Sequence, residues 1–240
     1  MEKKGNNRSL DNYKAVMLLA AVGDAMGYRN GSWEFQTSGQ IIHKEMMEMT
    51  NNRGPLELTI DLSWRYSDDT VMHIATAIAL SSCKKSTSTD DIARKIAIEY
   101  KKCWSRMSGR APGKTTGKAI QILNEDGSNW NKMPFMDRAA GCGGSMRSAC
   151  IGLVFDNIDK VVEVSLEAGR LTHHNPIGYL GSVVSACFTF YAINGVEPER
   201  WGALLFTEVF PKALNYVKAT GRELKQNLGE QWKFFEKAWD

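Results

Sequence analysis

At 240 residues, with 43% hydrophobic and 24% charged residues, the chain has ordinary globular composition and length enough for a buried core. Disordered and fibrous classes are excluded. The net charge of +3 is divided as 18 basic and 13 acidic residues over positions 1–120, and 12 and 14 over the rest. That mixture leaves no basic footprint for nucleic acid or a membrane surface.

Residues 1–11 read as a disordered tail, and 12–240 as one domain. Tyr13, Val16, Met17, Ala20 and Met26 mark a helix over 12–26. Its apolar run from Ala15 to Val22 lies between Asp11 and Asp24, which argues against a signal peptide. Val71, Ile74, Ala75 and Ile78 keep the i, i+3, i+4, i+7 spacing of a second helix that starts at Ser67. Thr89 is the expected N-cap of a third, with Ile92, Ala93, Ile96, Ala97 and Tyr100 on its inner face. Further helices are predicted over 112–123, 143–154, 159–171, 176–193, 198–219 and 222–239, with loops at 27–66, 81–89, 105–112, 124–142 and 172–175. No alternating strand pattern is present, so the expected fold is all-α, a single compact multi-helix domain.

Asn175 to Val196 carries no charge over 22 positions, but its Pro, Gly, Ser and Asn content and the lack of flanking basic clusters favour a buried core helix. The five cysteines (Cys83, Cys103, Cys142, Cys150, Cys187) form no C-x-x-C pair, as expected of reduced thiols in a cytoplasmic protein. A monomer is expected. The last helical pattern, with Trp232, Phe235 and Trp239, is still running at Asp240. Those aromatics either fold back on the domain or belong to a chain that is cut short, and the pattern favours the second.

Four segments carry candidate chemistry. Ser67-Asp68-Asp69-Thr70 suits a helix start, because a serine caps and carboxylates complement the dipole. The same oxygens suit a hard divalent cation. Asp24, between Gly23 and Gly27, is a carboxylate in an apolar helix that either satisfies nearby backbone donors or serves a site. Glu34, between Trp33 and Phe35, is expected to be partly desolvated and so a plausible acid or base. Gly141-Cys142-Gly143-Gly144-Ser145 runs into an apolar segment in the manner of an anion-binding loop. His173 and His174 have no metal-binding spacing, and His73 is expected to lie to one side of the acids. Gly113-Lys114-Thr115 is not a P-loop, since Ser108 stands where glycine is required and no strand precedes it.

These segments occur in a telling order. Gly23-Asp24-Ala25-Met26-Gly27-Tyr28, Asn30-Gly31-x-Trp33-Glu34-Phe35, Ser67-Asp68-Asp69-Thr70-Val71-Met72-His73, Gly109-Arg110-Ala111-Pro112-Gly113, Gly141-Cys142-Gly143 and Gly169-Arg170-Leu171-Thr172-His173-His174 follow one another. From about residue 12 onward the chain resembles the ADP-ribosyl-acceptor hydrolases, or ADP-ribosylglycohydrolases, and most of all their arginine-directed members. The resemblance implies an all-α hydrolase that removes ADP-ribose from ADP-ribosylated arginine in proteins, with two Mg2+ ions at the base of an ADP-ribose cleft. It implies Ser67, Asp68 and Asp69 as metal ligands, and Asp68, Asp69 and Glu34 as the catalytic carboxylates. Gly141, Cys142, Gly143, Gly144 and Ser145 would line the diphosphate and ribose pocket, and His173 would contact the distal part of the ligand.

Family members complete the metal site with an Asp-x-Asp-Ser/Thr motif towards their C-terminus, and this sequence contains none. Its acids after position 220 are Glu223, Glu230, Glu236 and Asp240. The chain therefore reads as a shortened relative, for which ADP-ribose binding without turnover, or a role in protein interaction, is the alternative function.

Overall fold

In a computed structural model that describes residues 8–239, the uncharged stretch after Asn175 forms the central helix. We number the α-helices α1 (Leu10–Tyr28), α2 (Gly39–Met49), α3 (Asp68–Ser81), α4 (Thr89–Cys103), α5 (Lys114–Ile122), α6 (Ile151–Val154), α7 (Ile158–Arg170), α8 (Pro176–Ile193), α9 (Trp201–Leu204), α10 (Phe210–Thr220), α11 (Leu224–Asn227) and α12 (Glu230–Trp239). No strand occurs among the described residues, and the all-α expectation holds. Of the tail expected over residues 1–11, positions 1–7 lie outside the described residues, whereas Leu10 and Asp11 already belong to α1.

Asn175 caps α8 by accepting a bond from the Ile177 N–H at 3.0 Å, and Pro176 supplies a first helical residue that needs no N–H partner. Among the described residues α8 alone is long and apolar enough to cross a membrane, and 61% of that stretch is buried within the protein. It lies against α7, α6 and α12. At the α7 crossing, a Cβ on Gly169 would come within 2.9 Å of Tyr179 Cα, so only glycine allows this approach. A second helix pair, α3 and α4, joins the same core through Val71, Met72, Ile92, Ile96 and Tyr100. Each fully buried aliphatic side chain there contributes about 1.5–3 kcal/mol.

Several boundaries differ from the sequence reading, each for a local reason. The segment 27–66 is not all loop. Ser38 Oγ accepts from the Ile41 N–H and starts α2, which lies on the surface with no buried residue and so has little core signal to read. The cap of α4 is Ser88, not Thr89, whose hydroxyl instead bonds Glu163 at 2.6 Å. The helix expected over 143–154 is a 3-10 turn at Ser145–Arg147 followed by short α6, because Ser145 and Ser148 turn their hydroxyls back to the carbonyls of Cys142 and Gly144. The run 198–219 is broken by a π-helical turn, Leu205–Val209. Pro211 lacks the N–H that a regular helix needs there. Gly229 separates α11 from α12.

The C-terminal aromatics fold back on the domain. Trp232 meets Tyr179 at 6.4 Å between ring centroids, Phe235 meets Phe210 at 6.0 Å, and Trp239 meets Phe188 at 5.8 Å. At the other end of the chain α1 is lightly covered. Leu18 and Leu19 are exposed, while Ala25 and Tyr28 are buried next to the start of α3.

Candidate functional site

The N-terminus of α3 is the organising point. Ser67 caps it, its Oγ accepting from the Asp69 N–H at 3.1 Å. Asp24 reaches across from α1 and accepts from the Ser67 N–H at 3.0 Å, the Thr70 N–H at 3.1 Å and the Thr70 hydroxyl at 2.5 Å. A helix start leaves several N–H groups without partners, and here a carboxylate from another helix takes two of them. Asp24 thus does the backbone-satisfying work that is one of its two sequence readings, and it also stands in the wall of the cleft. The loop 109–113 closes this corner: Tyr28 OH donates to Gly109 O at 2.8 Å, and Arg110 O accepts from the Asp68 N–H at 3.1 Å. The Arg110 guanidinium lies over Tyr66 at 4.0 Å and donates to its carbonyl.

These elements surround an open cleft of about 320 Å3, walled by Asp24, Glu34, Ser67, Asp69, Thr70, His73 and Met146 among others. Ligand sites for small molecules occupy 300–1,000 Å3 as a rule, so about 320 Å3 is at the small end of that range and suits part of a nucleotide-sized ligand, with the rest over the open rim. Asp68 is buried just beneath, where the Gly113 backbone N–H supports its charged form. Even so, burial pushes Asp68 up to about 6, with the Asp24 and Glu34 charges adding to it. Asp69 is pushed up to about 7, by burial first and then by Asp68, Asp24 and Glu34. No lysine, arginine or histidine forms an ion pair with any of these four acids among the described residues.

A group of carboxylates in and beneath one cleft without a protein cation is matched in charge to a hard divalent ion. Among the described residues, no three acidic, histidine or cysteine side chains stand close enough to form a ready cation cage. Mg2+ tolerates that, since it keeps several waters and usually takes only one or two carboxylates. The residues present therefore fit such an ion.

The remaining expected site residues fall into place unevenly. Glu34 lines the cleft but is exposed: Trp33 turns aside to meet Trp64 edge-on at 6.3 Å, and Phe35 is 73% exposed. The expected aromatic shelter around Glu34 is absent. The glycine loop adjoins the cleft at Met146, and Cys142, although largely exposed, has its thiol raised by partial desolvation and then by Asp69, Asp68 and Glu34. Gly141 is exposed, whereas Gly143 and Gly144 are buried. Ser145 Oγ donates to Cys142 O at 2.8 Å and holds the loop closed on itself.

His173 lies behind this loop. A Cβ on Gly143 would come within 2.2 Å of its Cε1. Gly143→Ala is expected to cost about 1–3 kcal/mol through overpacking against a buried ring. Thermal unfolding checks this, and an unchanged midpoint contradicts the packing. His73 forms part of the cleft floor rather than lying aside, and its Nε2 accepts from the Cys150 N–H at 3.1 Å. His174 is wholly structural, bonded to Met133 O at 2.8 Å and to Asn227. Sequence reasoning gave no separate role to Thr70, Tyr28 or Arg147. Of these, Thr70 had a signal, since it follows the acids directly.

Comparison with known proteins bears on the family of the whole chain. The ADP-ribosylglycohydrolase family profile matches residues 5–238. The chain is 41% identical over 240 aligned positions to the ADP-ribosylhydrolase ARH1 of Dictyostelium discoideum, covering 95% of this chain and 60% of that protein. It is 29% identical over 196 positions to the putative ADP-ribosyl glycohydrolase L444 of Acanthamoeba polyphaga mimivirus, covering 78% and 38%. Human ADP-ribosylhydrolase ARH3 is 26% identical over 193 positions, covering 80% and 52%. The chain thus spans 60% or less of the length of these relatives. With a match that runs over nearly all of its residues, the chain belongs to the ADP-ribosylglycohydrolase family.

Proposed function

We propose that the chain hydrolyses the N-glycosidic bond between ADP-ribose and arginine side chains of modified proteins, in a Mg2+-dependent reaction. The observation that carries this reading is the uncompensated group Asp24, Asp68, Asp69 and Glu34 at one cleft, with the glycine loop at its edge. The arginine linkage and the metal rest on the ordered motifs, from Gly23-Asp24 to His173-His174. Ser67, Asp68 and Asp69 would hold Mg2+, and the family resemblance supports two ions. When bound, the metal supplies positive charge that fixes ribose hydroxyls and makes water a better nucleophile.

The protein's own groups do the rest. Glycoside cleavage passes through an oxocarbenium-like state, which carboxylates beside the ribose stabilise by charge. A carboxylate such as Asp69 or Glu34 takes the proton of the attacking water. The guanidinium of the substrate is already cationic, so with the C–N electron pair it departs as neutral guanidine and a strong general acid is not needed. Gly141, Cys142, Gly143, Gly144 and Ser145 would receive the diphosphate and ribose, and His173 the distal part of the ligand. Five free cysteines suit a reducing cytoplasm, where the chain would act as a monomer.

The metal reading has a sign that can be checked without substrate. Asp68 and Asp69 have folded-state values of about 6 and about 7, above the ordinary carboxylate value of 3.8. Their contribution to stability is therefore complete below pH about 4 and is lost as pH rises through about 6–7. Mg2+ competes with protons for these groups, so its stabilisation is expected to be about 1–3 kcal/mol at pH 8 and near zero at pH 5. Melting curves with MgCl2 and with EDTA at the two pH values measure this, and equal shifts at both would contradict it.

A second reading is binding of ADP-ribose without turnover, or a role in protein interaction. It is favoured by the lack of a ready three-ligand cage among the described residues. Release of ADP-ribose from ADP-ribosylated arginine, measured with Mg2+ and with EDTA, separates the two. Mg2+-dependent release supports hydrolysis. Binding of ADP-ribose with no release supports the second reading.

A further inference from the structure

Arg147 is fully buried, and no carboxylate pairs with it among the described residues. Its guanidinium lies over the Tyr100 ring at 4.6 Å, and Nη2 donates to Ala168 O at 2.8 Å and to Thr172 Oγ1 at 2.7 Å. A buried cation without a counter-ion is costly, so what it holds in place is of interest. Thr172 Oγ1 has one further partner, His173 Nδ1 at 2.8 Å.

One arrangement of these bonds leaves no buried hydroxyl proton without an acceptor. An arginine donates only and does not lose its proton, so Thr172 Oγ1 accepts from Arg147. The single proton of the buried Thr172 hydroxyl has no other acceptor among the described residues, so it goes to His173 Nδ1, which is then a bare acceptor. Burial, and then the Arg147 charge, hold His173 far below the usual imidazole range, at about 3, so the ring is neutral. Its one proton sits on Nε2. That nitrogen has no partner within the protein among the described residues and lies 3.7 Å from where a Gly141 Cβ would stand. The neighbouring histidine is fixed the other way: His174 Nδ1 donates to Met133 O, and its Nε2 accepts from Asn227 Nδ2.

We infer that Arg147, acting through Thr172, is a positioning residue that locks His173 in the Nε2–H tautomer and so presents a neutral hydrogen-bond donor beside Gly141 and Gly143, in the glycine loop that adjoins the cleft. Resting on the proposed ADP-ribose reading, the inference makes this N–H a donor to a ligand oxygen. His173 neither serves as a base nor carries charge there.

The test is nitrogen-15 NMR of the imidazole rings, which distinguishes protonated from bare nitrogens. The protein has only four histidines, and His174 serves as an internal control. The wild type is expected to show a bare Nδ1 and a protonated Nε2 for His173, and the reverse for His174. Thr172→Val keeps the side-chain shape but removes the hydroxyl. It is expected to move the His173 Nδ1 signal and populate the Nδ1–H form, to leave His174 unchanged, and to weaken ADP-ribose binding about fivefold. Thr172→Ser should restore both readouts. Arg147→Met should disturb His173 in the same way, and if it does not fold, Thr172→Val alone decides. A protonated His173 Nδ1 in the wild type, or His173 signals unmoved by Thr172→Val, overturns the relay. Equal ADP-ribose affinity in wild type and Thr172→Val overturns the donor role. A wild-type chain that binds no ADP-ribose contradicts the proposed function instead, while the ring signals still decide the relay.

Discussion

Replacing Asp69 by Asn is expected to lower ADP-ribose release by about 100-fold or more, while making the metal-free protein more stable at pH 8. The two effects come from one cause. Burial and three neighbouring carboxylates push Asp69 up to about 7, so its charged form is unfavourable in the folded protein. That stability is present in acid and lost as pH rises through about 7, and Asn never carries the charge. The expected gain is about 1–3 kcal/mol at pH 8 in EDTA, and close to zero at pH 5. Urea unfolding at the two pH values measures it. A variant that is less stable at pH 8 would mean that Asp69 is held by interactions stronger than the repulsion.

Asp24→Ala is expected to act in the opposite sense, costing about 2–4 kcal/mol and removing activity with it. Asp24 takes the Ser67 and Thr70 N–H groups and the Thr70 hydroxyl, so its loss leaves the start of α3 short of acceptors where Ser67, Asp68 and Asp69 are placed. The charge it adds to Asp68 and Asp69 partly offsets that loss. Because those neighbours are neutral near pH 5, the offset sets in only as pH rises through about 6–7. The destabilisation should therefore be larger at pH 5 than at pH 8, and Asp24→Asn, which keeps an oxygen acceptor, should retain much of the stability. Equal loss at both pH values would show that the three carboxylates do not interact.

The start of α3 was legible because its grammar is local: a serine cap, two acids in the first turn and an apolar stripe depend on residues within a few positions. The central helix α8 was legible for the same reason, through Asn175, Pro176 and a long uncharged run. What depends on distant partners was not. Nothing in Trp33-Glu34-Phe35 reveals that Trp33 finds Trp64 and leaves Glu34 at the open rim. His173 and His174 are adjacent and identical in type, yet one is turned to Thr172 and the glycine loop and the other to Met133 and Asn227. The turn after Arg170 sends them apart, and only the tertiary structure sets their tautomers. Surface helix α2 escaped notice because its apolar residues are not gathered on a buried face, and the break at Leu205–Val209 because its cause, Pro211, lies downstream of it.

The central claim is that the acids at the start of α3 form a cation site joined to an ADP-ribose cleft. Calorimetric titration of Mg2+ into the chain with ADP-ribose present, at pH 6.5 in two buffers of different ionisation enthalpy, tests it most directly. Both Asp68 and Asp69 hold part of a proton at that pH, so binding should release roughly one proton and make the measured heat depend on the buffer. The Asp68→Asn, Asp69→Asn double variant should bind no Mg2+ and release none. Mg2+ binding with unchanged proton release in that variant, or none in the wild type, would contradict the account.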